Sequence, residues 1–191
     1  MIAVLGEDRS DAETLVVIVK KVMDNSRMTV LRKGFSGCGE LQRKAGRHLR
    51  DFYARGCTRF IICRDADKGD PMQIRETLRA TIAKDFSQLD DCCIVVPIEE
   101  LEAWLIADEV AIGKVFERVR LDPVISPERI SDPKEWLRDQ LIGRNSKPLY
   151  GNVIHNQRIA EHLNIKTVQA KCPSFGVLVK FLTERCGHLT H

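Results

Sequence analysis

Apolar and polar positions in the N-terminal half of the chain alternate between the rhythm of buried strands and that of one-sided helices. Ile2–Leu5 is an uninterrupted apolar run closed by Gly6, the pattern of a strand covered on both faces. Ser10-Asp-Ala-Glu13 then has capping-box spacing, with Ser10 accepting from the Glu13 N–H and the Glu13 side chain reaching back. Leu15, Ile18, Val19 and Val22 follow at helical spacing, so a helix is predicted from Asp11 to Met23. Met28–Leu31 reads as a second strand, and Gly34-Phe-Ser-Gly-Cys-Gly39 as a glycine-punctuated turn. A helix from Glu40 to Ala54 follows, with Leu41, Ala45, Leu49 and Phe52 on one face. Arg59–Cys63 is the third strand. Pro71 suits a first helical turn, and Ile74, Leu78 and Ile82 continue that helix. Cys92–Val96 is the fourth strand, and Glu99–Ala107 reads as a helix carrying Leu101, Trp104 and Leu105.

This alternation predicts βαβ units: a mainly parallel, four-stranded, Rossmann-like α/β sheet sandwiched by helices, with right-handed crossovers. After Asp108 the pattern changes. Pro123, Pro127, Pro133 and Pro148 punctuate short helical pieces, among them Pro133–Leu141, His155–Leu163 and Ser174–Arg185. No clear strand signal occurs there apart from a short stretch at Ile165–Val168. The organisation expected is an α/β core over 1–108 and a helical extension over 109–191 packed on it as one unit.

Composition narrows the class. A hydrophobic content of 43% with 30% charged residues is that of a soluble globular protein. No apolar run approaches the roughly 20 residues of a membrane span, and the N-terminus has no charged leader before an apolar stretch, so a cytoplasmic protein is expected. Cys63, Cys92 and Cys93 lie in or beside strand-like runs. Cys38, Cys57, Cys172 and Cys186 show no C-x-x-C spacing, so reduced structural thiols are expected.

The candidate chemistry lies in carboxylates that follow the predicted strands. Glu7 follows the first, Asp65 and Asp67 the third, and Glu99 and Glu102 the fourth. Open parallel sheets place ligands at the carboxyl ends of their strands. Like charges repel, so a converging set usually means a cation, here a divalent metal and with it chemistry on phosphates. Each motif has a plainer account. Glu7 and Asp8 complement a helix dipole, Asp65-Ala-Asp67 leads into a turn-forming sequence, and Glu99 and Glu102 suit the solvated first turn of a helix. Arg43, Arg47 and Arg50 stripe the polar face of the second helix, where they can grip a phosphate backbone or simply face water. Lys147 and Lys171, each in a predicted loop, are candidates to neutralise a phosphate. There is no Walker-type loop, which argues against ATP hydrolysis by this chain.

The order of these pieces resembles the Toprim domain of topoisomerases, bacterial primases, small ribonuclease-maturation enzymes and overcoming-lysogenisation-defect nucleases. That family carries a glutamate after its first strand, usually as Glu-Gly-x-x-Asp, and an Asp-x-Asp after a later one. Glu7 and Asp11 match the first motif, with Asp8 in place of the glycine, and Asp65-Ala66-Asp67 matches the second. Ile98–Asp108 and Cys172-Pro-Ser-Phe175 resemble a compact bacterial Toprim-like group often encoded beside SMC/ABC-type ATPases. The resemblance implies phosphodiester chemistry on DNA or RNA dependent on Mg²⁺ or Mn²⁺. Glu7 would be base or ligand, Asp65 and Asp67 ligands, and an ATPase of that type the partner. Tyr53 and Tyr150 are not placed for a covalent topoisomerase intermediate. Lys68-Gly69 stands where a phosphatase using Asp65 as nucleophile would carry a threonine. The rival expectation is a non-catalytic module of the same fold that recognises a protein or nucleic acid.

Overall fold

Every residue of β1 (Ile2–Gly6) is buried, because this strand runs through the middle of the sheet. In the computed structural model, which describes residues 1–117, 119–143 and 146–184, β1 is hydrogen-bonded to β2 (Val30–Gly34) on one side and to β3 (Arg59–Cys63) on the other. β4 (Cys92–Val95) pairs with β3, giving the order β2-β1-β3-β4, all parallel. The chain therefore has the expected α/β, Rossmann-like architecture.

The helices between the strands are α1 (Arg9–Val22), α2 (Cys38–Ala54) and α3 (Pro71–Ile82). After β4 come α4 (Glu102–Ile106), α5 (Glu109–Val115), α6 (Pro133–Gln140), α7 (Asn152–Ala160), α8 (Ile165–Lys171) and α9 (Pro173–Thr183). Strand side chains alternate between two cores. Ala3, Leu5, Phe60, Ile62 and Ile94 pack with Leu41, Leu49 and Phe52 of α2 and with Leu78 and Ile82 of α3. Ile2, Val4, Ile61 and Cys93 face the other way, onto Leu15 and Ile18 of α1, Trp104 and Leu105 of α4, and Phe175 and Leu178 of α9. Burial on both faces is why these strands read as continuous apolar runs. The later helices enter the second core directly. Leu137, Ile159, Val168 and Leu182 belong to the same apolar cluster as β1. Asp108 adds a polar tie, accepting from the Ala111 N–H at the start of α5 and from the Asn164 N–H ahead of α8, at 3.1 and 2.6 Å.

Several local expectations are corrected. The cap of α1 is Asp8, not Ser10: Asp8 accepts from the Asp11 N–H while Asp11 accepts from the Asp8 N–H. Ser10 lies inside the helix and donates to the Asn152 carbonyl, and Glu13 is taken by Arg9, Arg32 and Gln157. The second strand runs over Val30–Gly34 instead of Met28–Leu31, a register that sets Gly34 beside Gly6. A Cβ on Gly34 would lie 2.4 Å from the Asp8 carbonyl oxygen, so only glycine lets this strand end pack on the helix cap. Residues 99–101 precede α4: Glu99 has φ 63°, in the left-handed region, and is not helical. Ile165–Val168 is helical, because Asn164 accepts from the Lys166 and Thr167 N–H groups and starts α8. Cys38, Cys57, Cys63, Cys92, Cys93 and Cys172 are free thiols; Arg185 and Cys186 lie outside the described residues.

Candidate functional site

At the carboxyl edge of the sheet the chain leaves β1 and β3 on two adjacent carboxylates. Glu7 follows β1, and its Oε1 accepts from the backbone N–H of Asp65, just beyond β3, at 3.2 Å. Past their last paired residues the third and fourth strands stay laced together. Arg64 donates its N–H to Val95, Ala66 to Pro97 and Asp67 to Glu99, each to a carbonyl oxygen. This lacing holds Asp65 so that its Oδ1 accepts from the Leu101 N–H at the threshold of α4, at 3.0 Å. Asp67, Lys68 and Glu99 all have positive φ, at 47°, 67° and 63°. Such conformations cost non-glycine residues energy and persist only where surrounding contacts enforce them.

Two further carboxylates reach the same place from helices. Asp11, in the first turn of α1, and Glu102, at the start of α4, are 9% and 1% exposed. Glu102 Oε1 accepts from Asn156 Nδ2 at 3.0 Å and stands 3.2 Å from the Tyr150 hydroxyl, which also reaches Asn156 Oδ1. Cations enter from two sides. Arg64 Nε lies 3.9 Å from Glu7 Oε1, buried and without a hydrogen-bond partner among the described residues, while its Nη1 donates to Gln42. Lys134, in the first turn of α6, donates from Nζ to Glu100 Oε1 at 3.2 Å and stands 4.0 Å from Glu102 Oε1.

These acids crowd one another. Burial, then the charge of Asp67, pushes the Glu7 carboxyl up to about 7 against the pull of Arg64. Burial and the charges of Asp8 and Glu102 push Asp11 to about 7. Burial, then Asp11, Glu102 and Glu7, raises Asp65 well above the carboxylate range, and burial raises Glu102 as well. Burial works against the charge on Lys134, but Glu102 and Glu100 outweigh it and raise its pKa.

A carboxyl whose pKa is raised in the fold is protonated there at pH values where the unfolded chain has already lost the proton, so stability falls as pH rises. The urea midpoint is expected to drop between about pH 4.5 and pH 7.5, the window from ordinary carboxyl values to those of Glu7 and Asp11. Asp11→Asn should flatten that slope. An equally steep slope in the variant would remove Asp11 from the account.

The set is all carboxylate oxygen, the donor chemistry of hard divalent cations such as Mg²⁺ or Mn²⁺. Its chemistry therefore fits such an ion. Among the described residues, however, no three Asp, Glu, His or Cys side chains already stand close enough together to hold one, so the set is open. Of the residues singled out from sequence, Glu7, Asp65 and Glu102 are brought to this edge, with Asp67 beside them and exposed. Glu99 lies beside Asp67, whose N–H its carbonyl accepts, and its Oε2 accepts from the Lys68 N–H at 3.1 Å.

The predicted phosphate-gripping cations are scattered. Arg43, Arg47 and Arg50 are exposed along α2, and Lys147 is exposed in a turn. Lys171 ends α8 and is not in a loop; it donates to the Ala107 carbonyl at 2.8 Å and pairs with Glu109. Lys134 and Asn156 were not anticipated, since they come from polar stretches of the later helices with no pattern to mark them. Asp11 had a signal, as the last residue of Glu7-Asp-Arg-Ser-Asp11.

Residues 7–183 match the model of a protein family described as "Domain of unknown function (DUF4276)". No curated protein and no solved structure matches the chain.

Proposed function

The chain belongs to the DUF4276 family, and we propose that it is a divalent-cation-dependent enzyme cleaving phosphodiesters of DNA or RNA, in the manner of the Toprim domains it resembles. One observation carries the reading: Glu7 and Asp65, 58 residues apart in sequence, are joined by a backbone hydrogen bond at the edge where parallel sheets bind ligands. Around them, carboxylates accumulate at an electrostatic cost that a bound cation would offset.

Glu7, Asp65 and Asp67 would hold the ion, with Asp11 and Glu102 adding negative charge behind them. A bound Mg²⁺ or Mn²⁺ supplies charge against phosphate oxygens and eases ionisation of water. Glu7 would serve either as a ligand, ionised by the cation, or, standing off the ion with a pKa that burial lifts to about 7, as the base that takes a proton from the attacking water. Arg64 and Lys134 stand to either side as counter-charges for a phosphate. The same resemblance supplies the proposed partner, an SMC/ABC-type ATPase.

Glu7→Gln is expected to lower Mg²⁺- or Mn²⁺-dependent cleavage of labelled oligonucleotides by about 10²–10⁴-fold, the usual contribution of a general base. Cleavage by the variant at the wild-type rate would remove the assignment. The second reading, a non-catalytic binding module, is favoured by the existing partners of Asp65 Oδ1 and Glu102 Oε1. It expects no metal-dependent cleavage of any polynucleotide by the wild-type chain.

A further inference from the structure

Among the described residues β2 is an edge strand: β1 alone pairs with it, and no strand pairs with its outer edge. Along that edge runs an open groove of about 430 Å³. Arg9 and Arg32 line it on the α1 side of the sheet, and Lys33 and Arg55 on the α2 side. Glu13, the one carboxylate among the described residues of its wall, is already engaged by Arg9 at 2.9 Å, Arg32 at 3.1 Å and Gln157 at 2.8 Å. The groove thus carries unbalanced positive charge on both walls. Two of its lining residues, Arg9 and Gly34, adjoin Asp8, the residue after Glu7.

We infer that this groove is the track on which a nucleic acid lays its phosphodiester backbone as it approaches the Glu7–Asp65 edge. Charged side chains on an edge strand also deter pairing with other strands. That role needs charge on the strand alone, whereas here the cations come from three elements, Arg9 from α1, Arg32 and Lys33 from β2 and Arg55 beyond α2. Two walls of cations match a polyanion running between them. The inference rests on the proposed function for the identity of its ligand. It places the grip on β2 and not on the Arg43, Arg47, Arg50 stripe of α2.

The test is fluorescence anisotropy with a labelled single-stranded oligonucleotide in EDTA, where cleavage plays no part. Each phosphate contact contributes a slope of about 0.7 in log affinity against log salt, a factor of about five between 1 M and 0.1 M. Arg32→Glu with Lys33→Glu is therefore expected to weaken binding ~25-fold at 0.1 M salt and to lower the salt slope by about 1.4. Arg9→Glu with Arg55→Glu, a second pair off the strand itself, should act in the same direction. Arg47→Glu with Arg50→Glu should leave affinity within about twofold. Unchanged binding in both groove variants, or a loss only in the α2 variant, overturns the inference. So does competition by polyglutamate at a groove that ignores the oligonucleotide, which would assign it to an acidic peptide. Groove-dependent binding without metal-dependent cleavage by the wild type would refute the nuclease reading and leave the track standing. Cleavage that survives with no groove-dependent binding would do the reverse.

Discussion

Asp65→Asn is expected to cut metal-dependent cleavage by about 100-fold or more while making the protein harder to unfold at pH 8. The activity loss is a lower bound, because even residues that only support metal ligands cost 10–100-fold when removed. The stability gain follows from electrostatics. Burial and the charges of Asp11, Glu102 and Glu7 raise the Asp65 pKa, so its ionised form is disfavoured in the fold. At pH 8 the unfolded chain carries this carboxylate freely, whereas the fold must either bear the charge in that setting or keep its proton, and asparagine removes that cost. Near pH 4, where the folded carboxyl is protonated, the gain should shrink. Asparagine keeps an oxygen to accept the Leu101 N–H, so the local hydrogen bond survives. Opposite signs for activity and stability are what a charge placed for a ligand gives. A purely structural Asp65 would lose urea resistance and leave cleavage intact, and that outcome would defeat the assignment.

Trp104→Ala is expected to cost about 4 kcal/mol of stability, within the range for removing a large aromatic from a core. Trp104 is fully buried, meets Phe175 edge-on with ring centroids 5.2 Å apart, and donates from Nε1 to Ser174 Oγ at 2.8 Å. It stands between the sheet and α9, so the cavity left behind would be felt on both sides. The loss should also reach the site, because α4 carries Glu102 and follows directly on the Leu101 N–H that holds Asp65. Chemical unfolding followed by tryptophan-independent far-UV signal would measure it. A cost below about 1 kcal/mol would show that the later helices do not share the core of the sheet.

The elements most legible in the chain were those buried on both sides. Arg59–Cys63 occupies the span its apolar run marks, and Pro71 opens α3 as its fixed φ suggests. β2 was less so. As an edge strand it carries Arg32 and Lys33, and the apolar stretch before them drew the expectation toward Met28. The cap of α1 was misassigned because Ser10 and Asp8 both have capping chemistry. In the fold the reciprocal Asp8–Asp11 pair caps the helix, and Gly34, from a distant segment, packs on the Asp8 backbone. Ile165–Val168 has strand-like residues but begins behind an asparagine cap, and the cap prevails.

At the site, Glu7 and Asp65 could be found because each follows an apolar run whose end is a sheet edge. Glu99 follows the same rule and lies beside Asp67, but its left-handed backbone and its hydrogen bond from the Lys68 amide are not announced by the spacing. Lys134, Tyr150 and Asn156 arrive through the packing of α6 and α7 beside α4, which no spacing in the chain announces.

The account stands on the claim that Glu7, Asp65 and their neighbours hold a divalent cation, and equilibrium titration with Mn²⁺ followed by electron paramagnetic resonance tests it most directly. The wild-type chain should take up Mn²⁺ saturably at pH 8, and Asp65→Asn should weaken that uptake by at least about tenfold. Uptake that never saturates, or that is the same in wild type and variant, would contradict it.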